Sequence, residues 1–268
     1  MHKIKPTLLP GSEWLYFKIY CSEQTANQLF KNSLNKLLKN RTWFFIRYHD
    51  PDFHLRIRIK INAEDQNDMS NKIYKIFNPL IEKRVVWKIQ YDTYQREIDR
   101  YSEKFMLFSE ELFSIQSIYF IEKDPYFFSN NHEEKFYQGI KLVDDLIKIF
   151  INSPEQQLIF LKQNFESFKT EFLSDKFLVY QLNEHYKKNF NQWNLIFFDN
   201  KKNNTFVKQI FQTIKCNQVN VSEISNQILS SHVHMLINRY FTNNQRKYEY
   251  IIYHHLFKYH SMKKWHNN

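Results

Sequence analysis

Residues 42–61 read TWFFIRYHDPDFHLRIRIKI. Two runs that alternate with a period of two flank the turn HDPD (49–52), where Asp-Pro favours turn initiation. The segment is therefore expected to fold as a hairpin, with strands over 42–48 and 53–61. On its second strand His54, Arg56, Arg58 and Lys60 share one side, while Leu55, Ile57 and Ile59 share the other. The aliphatic set points to a core beneath helices. The basic row must face solvent or form the floor of a ligand site, because like charges repel. A wet sheet face paired with surface carboxylates fits the alternation as well as an anion site does.

The flanking sequence extends the sheet. EWLYFKIY (13–20) reads as a strand, Ser22 as the N-cap of an amphipathic helix, EQTANQLFKNSLNKLLKN, and Asn62 as the cap of a helix over roughly 63–83. VVWKIQYDTY (85–94) supplies a fourth strand. The order β-α-β-β-α-β is that of a ferredoxin-like unit. Beyond residue 100 the periodicity turns helical. Ser153-Pro154 opens one helix, Ser222-Glu223 another and a last helix covers about 244–263, while 189–220 shows no clear period. The expected fold class is α+β: an N-terminal ferredoxin-like sheet unit packed with a C-terminal helical part. One domain over 1–268 is expected, sheet-rich in 1–100 and mainly helical in 101–268.

With 268 residues, 43% of them hydrophobic, the chain can bury a sizeable core, and with two glycines it has no composition for long flexible linkers. Two distant cysteines, Cys21 and Cys216, exclude a disulfide framework and make a structural zinc site improbable. No apolar run reaches the length of a membrane span and the N-terminus lacks a signal-type apolar core, so a cytoplasmic protein is expected. The net charge of +10 suits an anionic partner without naming one.

Only nine of the 38 basic residues are arginines, which makes their positions informative: the planar guanidinium grips a carboxylate through two bonds, and lysine does not. Arg47, Arg56 and Arg58 fall on the hairpin, and Arg96 and Arg100 follow the fourth strand. Glu97 and Arg100, three apart in YQREIDRY, share a face if the stretch is helical; taken alone they make an ordinary surface ion pair. In SSHVHMLINRYF, His234 and Asn238 lie one turn apart; alone, such a histidine is more often a core or boundary residue.

Taken in order, EWLYFKIY, FFIRYHDPDFHLRIRI, TYQREIDRY, EELFSIQS and HMLINR resemble the C-terminal elimination domain of class I lanthipeptide (lantibiotic) dehydratases, a module that also occurs as a stand-alone thiopeptide-type bacteriocin biosynthesis protein. The resemblance implies a lyase. A glutamyl-tRNA-dependent partner glutamylates Ser and Thr of a ribosomal precursor peptide, and this domain expels glutamate, leaving dehydroalanine or dehydrobutyrine. It assigns the catalytic roles to Arg56, Arg58, Glu97, Arg100 and His234. Arg56 and Arg58 would bind the glutamyl group and a carbonyl oxygen, Arg100 oriented by Glu97 would grip a carboxylate, and His234 would serve as acid or base. Arg47, His54, Arg96 and Asn238 join them as substrate-binding candidates.

No metal or other cofactor is expected. A separate glutamylating protein is the expected partner; a cyclase and a homodimer are additional candidates that no residue pattern proves. Where many relatives carry two glycines after the Glu-x-x-Arg motif this chain has Ser102 and Glu103, and Gln116 stands where the family's usual residue is Asp. Two other readings stay open: a pyridine-forming cycloaddition enzyme of thiopeptide biosynthesis, and a non-catalytic peptide- or tRNA-binding module.

Overall fold

The computed structural model describes residues 4–193 and 205–266. The chain divides into two compact units, Met1–Phe128 and Ser129–Asn268. It is α+β and mostly helical, with small antiparallel sheets at the N-terminus.

In the first unit, β1 (Thr7–Leu8) is followed by β2 (Trp14–Cys21), α1 (Glu23–Leu29), a π-helical turn (Phe30–Leu34), α2 (Asn35–Leu38), β3 (Trp43–His49) and β4 (Phe53–Lys60). Then come α3 (Gln66–Glu82), β5 (Val86–Tyr91), β6 (Tyr94–Gln95) and α4 (Ile98–Glu122). Four strands form one sheet in the order β3-β4-β2-β5, every pair antiparallel, and β1 pairs with β6. Period-2 alternation sets the two faces. Phe17 and Ile19 of β2, Phe45 of β3 and Leu55, Ile57 and Ile59 of β4 are wholly buried on one side. There Phe30 of the π-helical turn packs its ring 4.6 Å from Phe45. Beyond the opposite face, α4 runs along β3: the Phe44 and Phe113 rings lie 5.4 Å apart, and Ser114 Oγ accepts from Trp43 N at 3.1 Å.

Ser22 caps α1 as the sequence predicts, accepting from Thr25 N. Asn62 does not cap α3: a 3₁₀ turn (Ala63–Asp65) intervenes, and Asp65 precedes the helix without a side-chain cap. The fourth strand stops at Tyr91 because Asp92 turns its carboxylate back onto Thr93 N (2.7 Å) and onto Lys18. Tyr94 and Gln95 then pair with β1 instead. Within α4, Ser102 departs from helical geometry at φ 59°, ψ 157°.

The second unit contains α5 (His132–Phe150), α6 (Pro154–Glu171), α7 (Lys176–Lys188), α8 (Thr205–Cys216), α9 (Asn226–Tyr240) and α10 (Gln245–His266). Ser153 with Pro154 opens α6 as expected. Ser222-Glu223 does not open α9; those residues lie in a 3₁₀ turn capped by Asn220, and the cap of α9 is Ser225, which accepts from Ile228 N. Of the stretch without clear period, 205–216 is helical and 194–204 lies outside the described residues. Aromatic rings fill the seam between α6 and α10, among them Phe165 with Tyr250 at 5.7 Å and Phe160 with Tyr253 at 6.2 Å. Gly139 of α5 admits the Phe241 ring so closely that a Cβ there would stand 2.5 Å from Cζ. No helix among the described residues is long and apolar enough to cross a membrane.

Candidate functional site

Aromatic residues of β2 and β3 flank His54 and Arg58 in the basic row of β4. Register places Arg56 between Lys18 of β2 and Ile46 of β3, Arg58 between Tyr16 and Phe44, and His54 between Tyr20 and Tyr48. Arg58 therefore has an aromatic ring on either side in register, whereas Arg56 has Lys18 and Ile46 beside it and finds its π-face on Tyr48.

Arg58 is the more enclosed of the two arginines of the row, 6% exposed. Its guanidinium carbon stands 4.5 Å from the Tyr16 ring centroid, 4.7 Å from Tyr94 and 5.2 Å from Phe44. Its Nε and Nη1 have no hydrogen-bond partner among the described residues. The rings supply about 2 kcal/mol or more to a desolvated cation, but each unpaired buried donor costs about 1–3 kcal/mol. A cation held this way has unspent capacity for an anion.

Arg56 is half-buried and lies 3.3 Å over the Tyr48 ring centroid. Its Nε donates to His54 Nε2 at 3.2 Å, while His54 Nδ1 donates to the Asp52 carbonyl at 2.9 Å. That pair of bonds assigns the neutral Nδ1–H tautomer. Burial, and then the charges of Arg56 and Lys18, hold the His54 pKa below its usual value against the pull of the Asp52 carbonyl. Lys18 forms an ion pair with Asp92 at 2.5 Å. Burial disfavours both charges, yet their mutual hydrogen bond raises the lysine pKa and lowers that of the aspartate.

The other arginines of this unit are placed differently. Arg47 pairs with Leu55 in register and so occupies the aliphatic face, opposite Arg56 and Arg58. It donates to Asn27 Oδ1 at 2.8 Å between the Phe45 and Phe127 rings, and burial lowers its pKa to about 10. Arg96 forks onto Glu110 at 2.7 and 3.0 Å and also reaches Glu13 and the Lys5 carbonyl. Burial opposes its charge, but Glu110 outweighs burial and raises its pKa. Both guanidiniums are thus engaged within the protein. Glu97 sits at the N-cap position of α4 and bonds Arg100 at 3.1 Å, both largely exposed. Ser102, in its left-handed conformation, follows two residues later.

In the second unit, His234 of α9 donates Nδ1–H to Glu249 Oε2 of α10 at 2.9 Å. Arg246 Nη1 donates to the same oxygen at 2.8 Å, and Arg246 also holds Glu171 of α6. Asn238, one turn along α9, is half-buried. Among the described residues no group of three or more His, Cys, Asp or Glu could hold a metal ion.

The first unit thus gathers His54, Arg56 and Arg58 on one sheet face and leaves Arg47 on the other. Sequence reading missed Tyr16, Phe44 and Tyr94 around Arg58. The first two were available from the period-2 pattern of EWLYFKIY and TWFFIRY; Tyr94 was not, because it reaches the site from beyond the strand. Glu249 and Arg246 left no spacing signal, since their link to His234 crosses between helices.

Against known proteins, the family model described as lantibiotic biosynthesis dehydratase C-term matches residues 14–260. The chain is 25% identical over 259 residues to the subtilin biosynthesis protein SpaB of Bacillus subtilis, covering 91% of this chain and 23% of that protein. It is 33% identical over 98 residues to the nisin biosynthesis protein NisB of Lactococcus lactis subsp. lactis, covering 35% of this chain and 10% of NisB. It therefore spans about a quarter of the SpaB length and less of NisB. In fold it is similar to the tRNA dependent lantibiotic dehydratase MibB of Microbispora sp. 107891 (TM-score 0.64, 14% identity, 95% of this chain, 28% of that one). It is also similar to TbtD, a pyridine synthase from thiomuracin biosynthesis (TM-score 0.69, 10% identity, 94% of this chain, 98% of that one).

Proposed function

The chain belongs to the lantibiotic biosynthesis dehydratase C-terminal family, and from that premise we propose that it eliminates glutamate from glutamylated Ser and Thr of a precursor peptide. The observation that carries this reading is the Arg58 guanidinium, buried among aromatic rings with Nε and Nη1 lacking a hydrogen-bond partner among the described residues, on the same sheet face as Arg56. A glutamyl ester brings a free carboxylate, and its elimination generates a second. The strand order β3-β4-β2-β5 supports reading the sheet as a ferredoxin-like unit.

In the proposed reaction a base removes the α-proton, and its electron pair forms the Cα=Cβ bond. The Cβ–O bond breaks and glutamate departs as a carboxylate. No electrons are gained or lost overall. Arg56 and Arg58 hold the anionic glutamyl group and the charge that develops on the peptide carbonyl. Arg100, oriented by Glu97, grips a glutamate carboxylate. His234, with Nδ1 committed to Glu249, moves the proton through Nε2. Arg47 and Arg96 keep the frame of the first unit, given their internal partners. The precursor reaches this chain from a glutamyl-tRNA-dependent glutamylating protein in the cytoplasm, where charged tRNA is made. MibB, similar in fold, is a tRNA dependent lantibiotic dehydratase, which fits a tRNA-dependent step before elimination.

A pyridine-forming cycloaddition is the second reading, favoured by the fold likeness to TbtD. One experiment separates them. The purified chain is incubated with a glutamylated peptide and, in parallel, with a peptide already bearing dehydroalanines, and both are followed by mass spectrometry. The proposal predicts release of glutamate and an alkene in the first mixture and no cyclisation in the second. A persistent adduct, or cyclisation of the second peptide alone, contradicts it.

A further inference from the structure

The Glu249 side chain is 3% exposed, and its Oε2 accepts from two donors at once, His234 Nδ1 at 2.9 Å and Arg246 Nη1 at 2.8 Å. A surface i,i+3 pair between Arg246 and Glu249 would need no histidine. Here the carboxylate is withdrawn from water and the imidazole is the group beside it that keeps access, with 29% of its side chain exposed. Arg246 is itself fixed. Its Nε donates to Glu171 Oε1 at 3.2 Å, a second branch bonds the other Glu171 oxygen, and its guanidinium lies 4.3 Å over the Phe168 ring. Donors from two helices, α9 and α10, therefore meet on one acceptor oxygen, and α6 holds the Arg246 donor through Glu171. Among the described residues, the charged groups against His234 and its acceptor are Glu249 and Arg246, with Glu171 behind Arg246, and the buried Tyr253 phenol faces Glu249 and Arg246.

We propose that Glu249, steadied by Arg246, is a positioning residue that locks His234 in the Nδ1–H tautomer and so reserves Nε2 for proton transfer. The inference rests on the reading of His234 as the acid/base group, but its primary test does not use turnover. In the histidine-labelled full chain, ¹⁵N chemical shifts report which ring nitrogen carries the proton, with the His234 signal assigned by its loss in His234→Gln. Wild type is expected to show Nδ1–H at alkaline pH. Glu249→Ala should shift His234 towards the Nε2–H form. Glu249→Gln, which keeps an acceptor oxygen but no charge, should retain the tautomer. Turnover in Glu249→Ala should fall about 10- to 100-fold, with KM little changed and partial recovery in Glu249→Gln. An unaltered tautomer in Glu249→Ala would overturn the proposal. An altered tautomer with turnover unchanged in His234→Ala would instead overturn the role given to His234.

Discussion

Arg56 donates its Nε proton to His54 Nε2 at 3.2 Å, so a histidine serves as acceptor to a guanidinium two residues along the same strand. This holds only while His54 is neutral, since the imidazolium has no acceptor nitrogen and would repel Arg56. Burial depresses the His54 pKa, which extends the arrangement below pH 6.5. The unfolded chain takes up the proton first, so both the placement of Arg56 and its share of stability are present above that value and lost as pH falls through the folded pKa. His54→Phe, which preserves ring packing against Tyr20 and Tyr48, should raise KM for the glutamylated peptide about threefold to tenfold at neutral pH. Steady-state kinetics checks this; an unchanged KM removes His54 from the binding face.

Ser102 holds φ 59°, ψ 157° inside α4, a region that glycine enters freely and a side chain enters at a cost of about 1–3 kcal/mol. Its Oγ is also buried without a hydrogen-bond partner among the described residues. The backbone next to the Glu97–Arg100 pair has thus kept a glycine conformation without the glycine. Ser102→Gly should stabilise the protein by about 1 kcal/mol, measured as a higher urea midpoint with an unchanged slope. An unchanged or lower midpoint contradicts the strain.

The faces of β4 were legible because a period of two leaves no choice: once Leu55, Ile57 and Ile59 are buried, Arg56 and Arg58 must share the other side. Arg47 was not legible in the same way, since its face follows from the register Arg47–Leu55, which the turn fixes and composition does not. Helix starts slipped at Asn62 and Ser222 for a common reason. In each case a 3₁₀ turn precedes the helix: Asn62 stands just before one, and Ser222 lies inside one capped by Asn220. The Arg96–Glu110 fork and the His234–Glu249 bond join residues whose spacing, 14 and 15 positions, matches no local rule.

Acid should unfold the second unit through its buried histidines. Burial drives the pKa of His232 to about 3, the Arg239 charge adding to it, and burial likewise takes His254 to about 3. Both stay neutral in the fold while the unfolded chain protonates near 6.5. Stability from each is therefore fully present above pH 6.5 and falls by about 1.4 kcal/mol per pH unit below it, levelling near pH 3. The His232 ring stacks on Phe150, their centroids 6.2 Å apart with planes at 7°. His232→Phe should flatten the acid slope by about one histidine's share. Denaturant titrations between pH 7 and 4 read this directly, and identical slopes in the two proteins would contradict it.

The central claim is that the enclosed Arg58 guanidinium binds the glutamyl group during elimination. A single-turnover quench with a pre-glutamylated peptide, followed by mass spectrometry, compares wild type with Arg58→Lys, Arg58→Ala and His234→Ala after circular dichroism has confirmed folding. Glutamate release should be complete in wild type and slowed about 100-fold or more in Arg58→Ala and His234→Ala. Lysine should restore only part of the rate, because it keeps the charge and loses the fork. Release at the wild-type rate in Arg58→Ala would contradict the account.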